Sequence, residues 1–132
     1  MTKSVKWNFS VYVEGGPSLS SSEDMDADAV DVVSIKVPNQ GSSTVDVQPG
    51  ELDEVQFLYI KSDIYDDGAG GVVKYKFSDG TNNTDEVILD KDHVLTSAEL
   101  VALFEYSPKK ATFTNTNAKD ANVEIVVARS AT

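Results

Sequence analysis

The sequence predicts an all-β protein, an antiparallel β-sandwich or jelly roll of about eight or nine short strands with at most one short helix, filling residues 1–132 as a single domain. Three observations carry this. Apolar residues recur with period two along most of the chain, turn-forming pairs break the pattern at near-regular intervals, and helical spacing occurs in one short place only. A length of 132 residues suits one core, and 40% hydrophobic with 25% charged residues is ordinary for a globular domain that needs no metal or disulfide staple.

The first alternation is Val5, Trp7, Phe9, Val11 and Val13 around Lys6, Asn8, Ser10 and Tyr12, a half-buried strand with Trp7 expected inward and Tyr12 outward. Gly15 to Asp31 follows, with Ser18, Ser20, Ser21 and Ser22 and then Glu23, Asp24, Asp26, Asp28 and Asp31 and no base among them. Like charges repel, so this stretch reads as a long solvated loop and a first place to look for a contact surface. Alternation returns at Val33, Ile35 and Val37, then at Val45 and Val47 before the turn pair Pro49-Gly50. Glu54 to Ile60 is denser and suits a central strand covered on both faces.

Asp66 to Gly71 places three glycines in four positions and reads as a loop or hairpin tip. Val73, Tyr75 and Phe77 form the next strand, Asp79-Gly80 the next turn, and Asp85 to Leu89 a short strand. Thr96 with Glu99 has the spacing of a capping box, and Leu100, Val101, Leu103 and Phe104 fit one helical turn leading into a strand. Ala111 and Phe113, then Val123, Ile125 and Val127, close the chain in strands around the polar stretch 115–122. The in-phase residues Val11, Ile35, Phe57, Phe77, Phe113 and Ile125 are expected to be buried together, and the first and last strands to lie at sheet edges.

Composition narrows function. No cysteine is present, which removes disulfides, thiolate catalysis and cysteine zinc sites, and 11 basic against 22 acidic side chains give a net charge of −11 that repels nucleic acid and anionic membranes. No signal peptide and no apolar run of transmembrane length is visible, the longest being Leu100 to Phe104; the expected location is the cytoplasm or a virion.

No motif names a reaction. Asp24, Asp26 and Asp28 have the alternate spacing of a calcium loop, but Ala29 stands at the sixth position where glycine is required and Ile35 at the twelfth where a bidentate glutamate is required. Asp63, Asp66 and Asp67 form a weaker cation candidate that reads better as a polar hairpin tip. His93, the only histidine, has no nucleophile elbow to serve and reads as a surface turn residue. Of Trp7, Tyr12, Tyr59, Tyr65, Tyr75 and Tyr106, which could stack on sugar rings, Tyr12 and Tyr65 are expected to be the best exposed. The glycosylation patterns at Asn8-Phe9-Ser10 and Asn82-Asn83-Thr84 read as accidental without an export signal. The expectation is no catalytic residue, no metal site and no cofactor.

The stretch from Ser107, Pro108, Phe113, Thr114 and Asn115 to Ala121, Asn122, Val123, Glu124, Ile125, Val126, Val127, Ala128 and Arg129 resembles the closing strands of small β-sandwich structural proteins of tailed-phage particles. That resemblance, over roughly the second half of the chain, implies a capsid decoration protein or tail or baseplate accessory that adheres as a symmetric oligomer and has no catalytic residues. The expected function is a non-enzymatic structural or assembly protein with itself or capsid or tail proteins as partner; the alternative is a carbohydrate- or calcium-dependent binding module.

Overall fold

A computed structural model describes residues 3–47 and 54–130. Ten strands occur among them: β1 (Lys3–Tyr12), β2 (Ser18–Ala27), β3 (Ala29–Val37), β4 (Gly41–Asp46), β5 (Val55–Ser62), β6 (Val73–Ser78), β7 (Val87–Ile88), β8 (His93–Leu95), β9 (Lys110–Asn115) and β10 (Ala121–Arg129), with one helical turn α1 (Ala98–Val101) continued by a 3-10 turn at Ala102–Phe104. Eight strands form two antiparallel four-stranded sheets, ordered β3-β10-β5-β8 and β4-β9-β6-β7. Both orders interleave distant parts of the chain, the double Greek-key wrap of a jelly roll. The turn pair Pro49-Gly50 lies outside the described residues.

Burial follows the pleat. In β10 the residues Ala121, Val123, Ile125 and Val127 are fully buried while Asn122 and Glu124 face out, and β6 and β9 alternate in the same way. Tyr75, Phe77, Phe113, Leu58, Ile60 and Ile125 are the large members of the core. Phe104, brought in by the 3-10 turn, meets Phe77 edge-on at 5.0 Å between ring centres, an arrangement that places a ring's positive edge on its neighbour's negative face.

The ends of the strands are tied by polar side chains. Asn115, fully buried, donates through Nδ2 to the carbonyls of Val37 (3.2 Å) and Lys119 (2.8 Å) and accepts at Oδ1 from the Asn117 amide (2.9 Å), so one side chain joins the end of β3 to the β9–β10 turn. Gly71 is required by close approach: a Cβ there would stand 2.8 Å from the Asn117 Cα and 2.7 Å from Asp67 Oδ2.

The structure corrects several sequence expectations. Residues 15–31 are not a long loop: the turn closes at once, Gly16 donating to the Val13 carbonyl at 2.9 Å with Gly15 at φ +76°, and Ser18–Ala27 pairs with all ten residues of β1. Ladder hydrogen bonds satisfy the backbone whatever the side chains, so a serine- and acid-rich strand forms where its partner offers a full edge. The six in-phase residues do not share one core. Phe77, Phe113 and Ile125 do, with Ile35 packed against them, but Phe57 belongs to a second cluster and Val11 retains 39% of its surface. β10 is interior, paired with β3 and β5, and so offers no open edge. The α1 cap is Ser97, whose Oγ accepts from Leu100 N, and no strand follows it before Lys110.

Candidate functional site

The β1–β2 ribbon makes its own two-stranded sheet, an arm laid over the outer face of β3-β10-β5-β8. Its register, Val5 opposite Met25, Trp7 opposite Glu23, Phe9 opposite Ser21 and Val11 opposite Leu19, puts nearly every apolar side chain of the arm on one face. The other face carries Lys6, Asn8, Ser10 and Tyr12 opposite Asp24, Ser22, Ser20 and Ser18, with Lys6 Nζ 3.9 Å from Asp24 Oδ2.

The sheet beneath answers with outward-facing apolar residues that cross all four strands. Val32 pairs with Val126, Val126 with Tyr59 and Tyr59 with Val94; one step along, Val30 pairs with Ala128 and Ala128 with Phe57. Next on the other side, Ser34, Glu124 and Lys61 are polar, so the apolar half of this face is bounded. Val5, Trp7 and Met25 at the base of the arm pack on Phe57, Ala128, Tyr59 and Val126 together with Ala27. Toward the distal arm this packing loosens: Phe9 is 60% and Leu19 68% exposed.

Between arm and sheet runs a groove of about 780 Å³, lined above by Val5, Trp7 and Phe9 and below by Phe57, Tyr59, Val94 and Val126. Trp7 Nε1 is buried without a hydrogen-bond acceptor. Asp92 closes one wall. The Tyr59 hydroxyl donates to its Oδ2 at 2.8 Å and the Tyr65 hydroxyl to its Oδ1, and these bonds, Tyr65 foremost, hold the Asp92 carboxyl below the usual carboxylate range. Burial first, and then the bond to Asp92, push the Tyr59 phenol up to about 12.

The sequence candidates are placed as follows. Asp24 and Asp26 stand in β2, Asp24 accepting from the Ser4 hydroxyl; Asp28 follows at the link to β3, so the three do not curl around a common point. Asp67 is a structural staple whose carboxylate accepts from the amides of Ala69, Gly71 and Ala118, and Asp63 accepts from the Asn122 backbone and side chain. Among the described residues no group of three or more His, Asp or Glu side chains is placed to hold a metal ion. His93 is not a surface turn residue: it lies in β8 facing inward, half-buried, its Nδ1 2.8 Å from the Tyr75 hydroxyl and its Nε2 3.5 Å from Asp90 Oδ1. Tyr12 is 76% exposed, as expected, but Tyr65 is half-buried and engaged by Asp92, and Tyr75 belongs to the core. Asn8 lies on the arm and Asn82 in the Asp79-Gly80 turn.

The groove was absent from the sequence reading. Its upper wall was visible as the first alternating strand and its floor as the surplus apolar residues of Glu54 to Ile60, but nothing local in the sequence announces that they face each other.

No family model matches the chain, and no curated protein matches it. A solved structure of a Yersinia pseudotuberculosis-derived mitogen is similar over 79% of this chain and 88% of that one, at 9% identity and a TM-score of 0.43. A likeness at that level carries no argument about function.

Proposed function

We propose that this chain is a non-enzymatic assembly protein that acts by docking, with the β1–β2 arm as its contact element, in the setting of a larger particle such as a tailed-phage capsid or tail. One observation carries the reading: the arm presents a row of large apolar side chains, Phe9, Val11 and Leu19, to solvent beyond the point where its own sandwich covers them. An exposed apolar strand surface costs solubility and invites aggregation unless a partner covers it, and the charge of −11 opposes non-specific clumping until it does.

The test is sedimentation of particles from the culture that makes the protein, followed by immunoblotting of the gradient. The chain is expected in the particle band, and a Phe9→Ser variant in the unassembled fractions. Absence of the wild-type chain from every particle fraction, with glycan-array binding that a Tyr12→Ala variant loses, overturns this reading in favour of a carbohydrate-binding module.

A further inference from the structure

The β5–β6 loop meets the β9–β10 turn at Asp67, Gly71 and Asn117, and the meeting leaves a polar group unanswered. Asn117 is fully buried, and neither its Oδ1 nor its Nδ2 has a hydrogen-bond partner among the described residues. The backbone that carries it is held, its amide donating to Asn115 Oδ1 at 2.9 Å and its carbonyl accepting from Gln40 Nε2 at 3.3 Å. Asn117 Oδ1 and Asp67 Oδ2 lie 2.6 Å and 2.7 Å from a single point, the position a Cβ on Gly71 would take. Two oxygens, one of them on a carboxylate, thus converge, while the amide nitrogen that could have donated to the carboxylate makes no bond. We infer that this is a cation site of calcium type, in which the ion bridges Asp67 Oδ2 and Asn117 Oδ1 and staples the β5–β6 loop to the β9–β10 turn.

The loop is built to leave these oxygens available. Gly68 and Gly70 are glycines by conformation, with φ of +75° and +94°, whereas Gly71 lies outside the left-handed region and is glycine for room alone, beside the two oxygens. Asp67 Oδ1 is engaged by the amides of Ala69 (2.8 Å) and Gly71 (3.0 Å). Its Oδ2 accepts one long bond, from the Ala118 amide at 3.2 Å, and keeps a lone pair. Those amides, Ala69 first, hold the Asp67 carboxyl below its ordinary value, so it is ionised at neutral pH. The other two acids of the loop are committed elsewhere, Asp63 to Asn122 and Asp66 to the Gly68 amide. The site is therefore one carboxylate and one amide oxygen, the latter supplied by a distant turn.

Charge and donor type select the ion. Residues 63–71 contain three acids and no base, and Lys119 of the facing turn is in no ion pair among the described residues. Carboxylate and amide oxygens suit hard cations. Magnesium demands a near-ideal octahedron and gives up its water reluctantly, while calcium accepts irregular sets of about six to eight oxygens at about 2.3–2.6 Å. Asp67 is half-buried, and Asp66, Gly68, Ala69, Gly70 and Ala118 around it are exposed, so the ion enters from the loop tip. With a single charged ligand, the affinity belongs to the weak end of calcium modules, a Kd of about 0.1–1 mM. This site does not depend on the docking role of the arm.

The experiment is calorimetric titration with calcium chloride, paired with thermal unfolding in EDTA and in 10 mM calcium, magnesium or sodium chloride at matched ionic strength. Wild type is expected to bind one calcium per chain. At about 100 times Kd the folded-to-unfolded ratio rises about 100-fold, which for a chain of this length lifts Tm by about 10 °C, and magnesium and sodium are expected to do much less. Asn117→Leu keeps the volume and removes the unpaired amide. It is expected to melt in EDTA no lower than wild type, because no bond is lost, and to ignore calcium. Asn117→Asp brings a second carboxylate to the first and is expected to melt lower than wild type in EDTA and to bind calcium at least tenfold more tightly.

A wild type indifferent to calcium overturns the inference. So does a rise that magnesium reproduces, which is general screening of an acidic surface, and so does a rise that survives in Asn117→Leu, which places the ion elsewhere. An Asn117→Leu chain that melts well below wild type in EDTA, or does not fold, also overturns it, since the amide is then already satisfied within the protein. Asn117→Asp bound no more tightly than wild type removes Asn117 as a ligand.

Discussion

Asn115 offers a sharp test of how this jelly roll is held at one end. Its side chain makes three hydrogen bonds, to the Val37 carbonyl, the Lys119 carbonyl and the Asn117 amide, and it is fully buried. Asn115→Ala removes all three at once. A net contribution of about 1 kcal/mol per bond gives a floor of about 3 kcal/mol, and the buried partners left without a mate raise the loss to about 3–5 kcal/mol. Set against a total stability of about 5–15 kcal/mol for a domain, that is a large share, and for a chain of this size it lowers Tm by about 10–20 °C. The assay is urea unfolding followed by circular dichroism, with Thr44→Ala as control. Thr44 makes an exposed hydroxyl bond of 3.0 Å to Thr112, whose loss is expected to cost no more than about 0.5 kcal/mol. A loss below about 1 kcal/mol for Asn115→Ala, with an unchanged m-value, refutes the claim that this side chain ties β3 to the β9–β10 turn.

Gly71→Ala is expected to cost about 1–3 kcal/mol in the same assay, because the new methyl meets the Asn117 backbone at 2.8 Å and that backbone cannot rotate away as a side chain could. Phe57→Ala removes the floor under the arm base and is expected to cost about 3 kcal/mol and to move Trp7 emission to the red, while an unchanged emission would mean that the arm does not rest there. Asp63, Asp67, Asp79 and Asp120 are held below their ordinary value of 3.8 chiefly by backbone amides, and Asp92 chiefly by Tyr65. Depressed carboxyls stabilise the fold fully above the unfolded value near 3.8 and cease to do so as pH falls below it, so an acid titration of thermal stability is expected to fall in that window and to fall less steeply in Asp67→Asn.

Strands with apolar alternation were legible in the sequence because a sandwich buries one face of each strand and the pleat writes that face into every second residue. Val73, Tyr75 and Phe77 and Val123, Ile125 and Val127 lie where that pattern puts them. β2 was not legible for the same reason inverted. Apart from Met25 and the terminal Ala27 it buries almost nothing, and what holds it is the open backbone edge of β1, which leaves no trace in side-chain pattern. The first strand misled in a related way: Val5, Trp7, Phe9 and Val11 alternate like core residues although they face the outside of the sandwich, since periodicity reports that a face is apolar and not what covers it. Asn115 and Asp67 were opaque because their partners, Val37, Lys119 and Ala118, are backbone groups brought near by topology, whose side chains carry no record of the bond. His93 fell in the same gap, its partner Tyr75 belonging to the other sheet.

The place of β10 between β3 and β5 has a consequence for how the protein comes into being on the ribosome. Both neighbours are synthesised long before it, and until it arrives the sheet has a missing rung, with β3 and β5 each exposing an unpaired row of amides and carbonyls to any strand in reach. Val123, Ile125 and Val127 must enter between strands whose other contacts are already available, so the sandwich cannot close before β10 is made, and its contacts of high sequence separation place it among slowly folding topologies. During that interval like net charge opposes the association of one half-made chain with another. A net charge of −11 in 132 residues thus acts on the half-made sandwich as well as on the finished one.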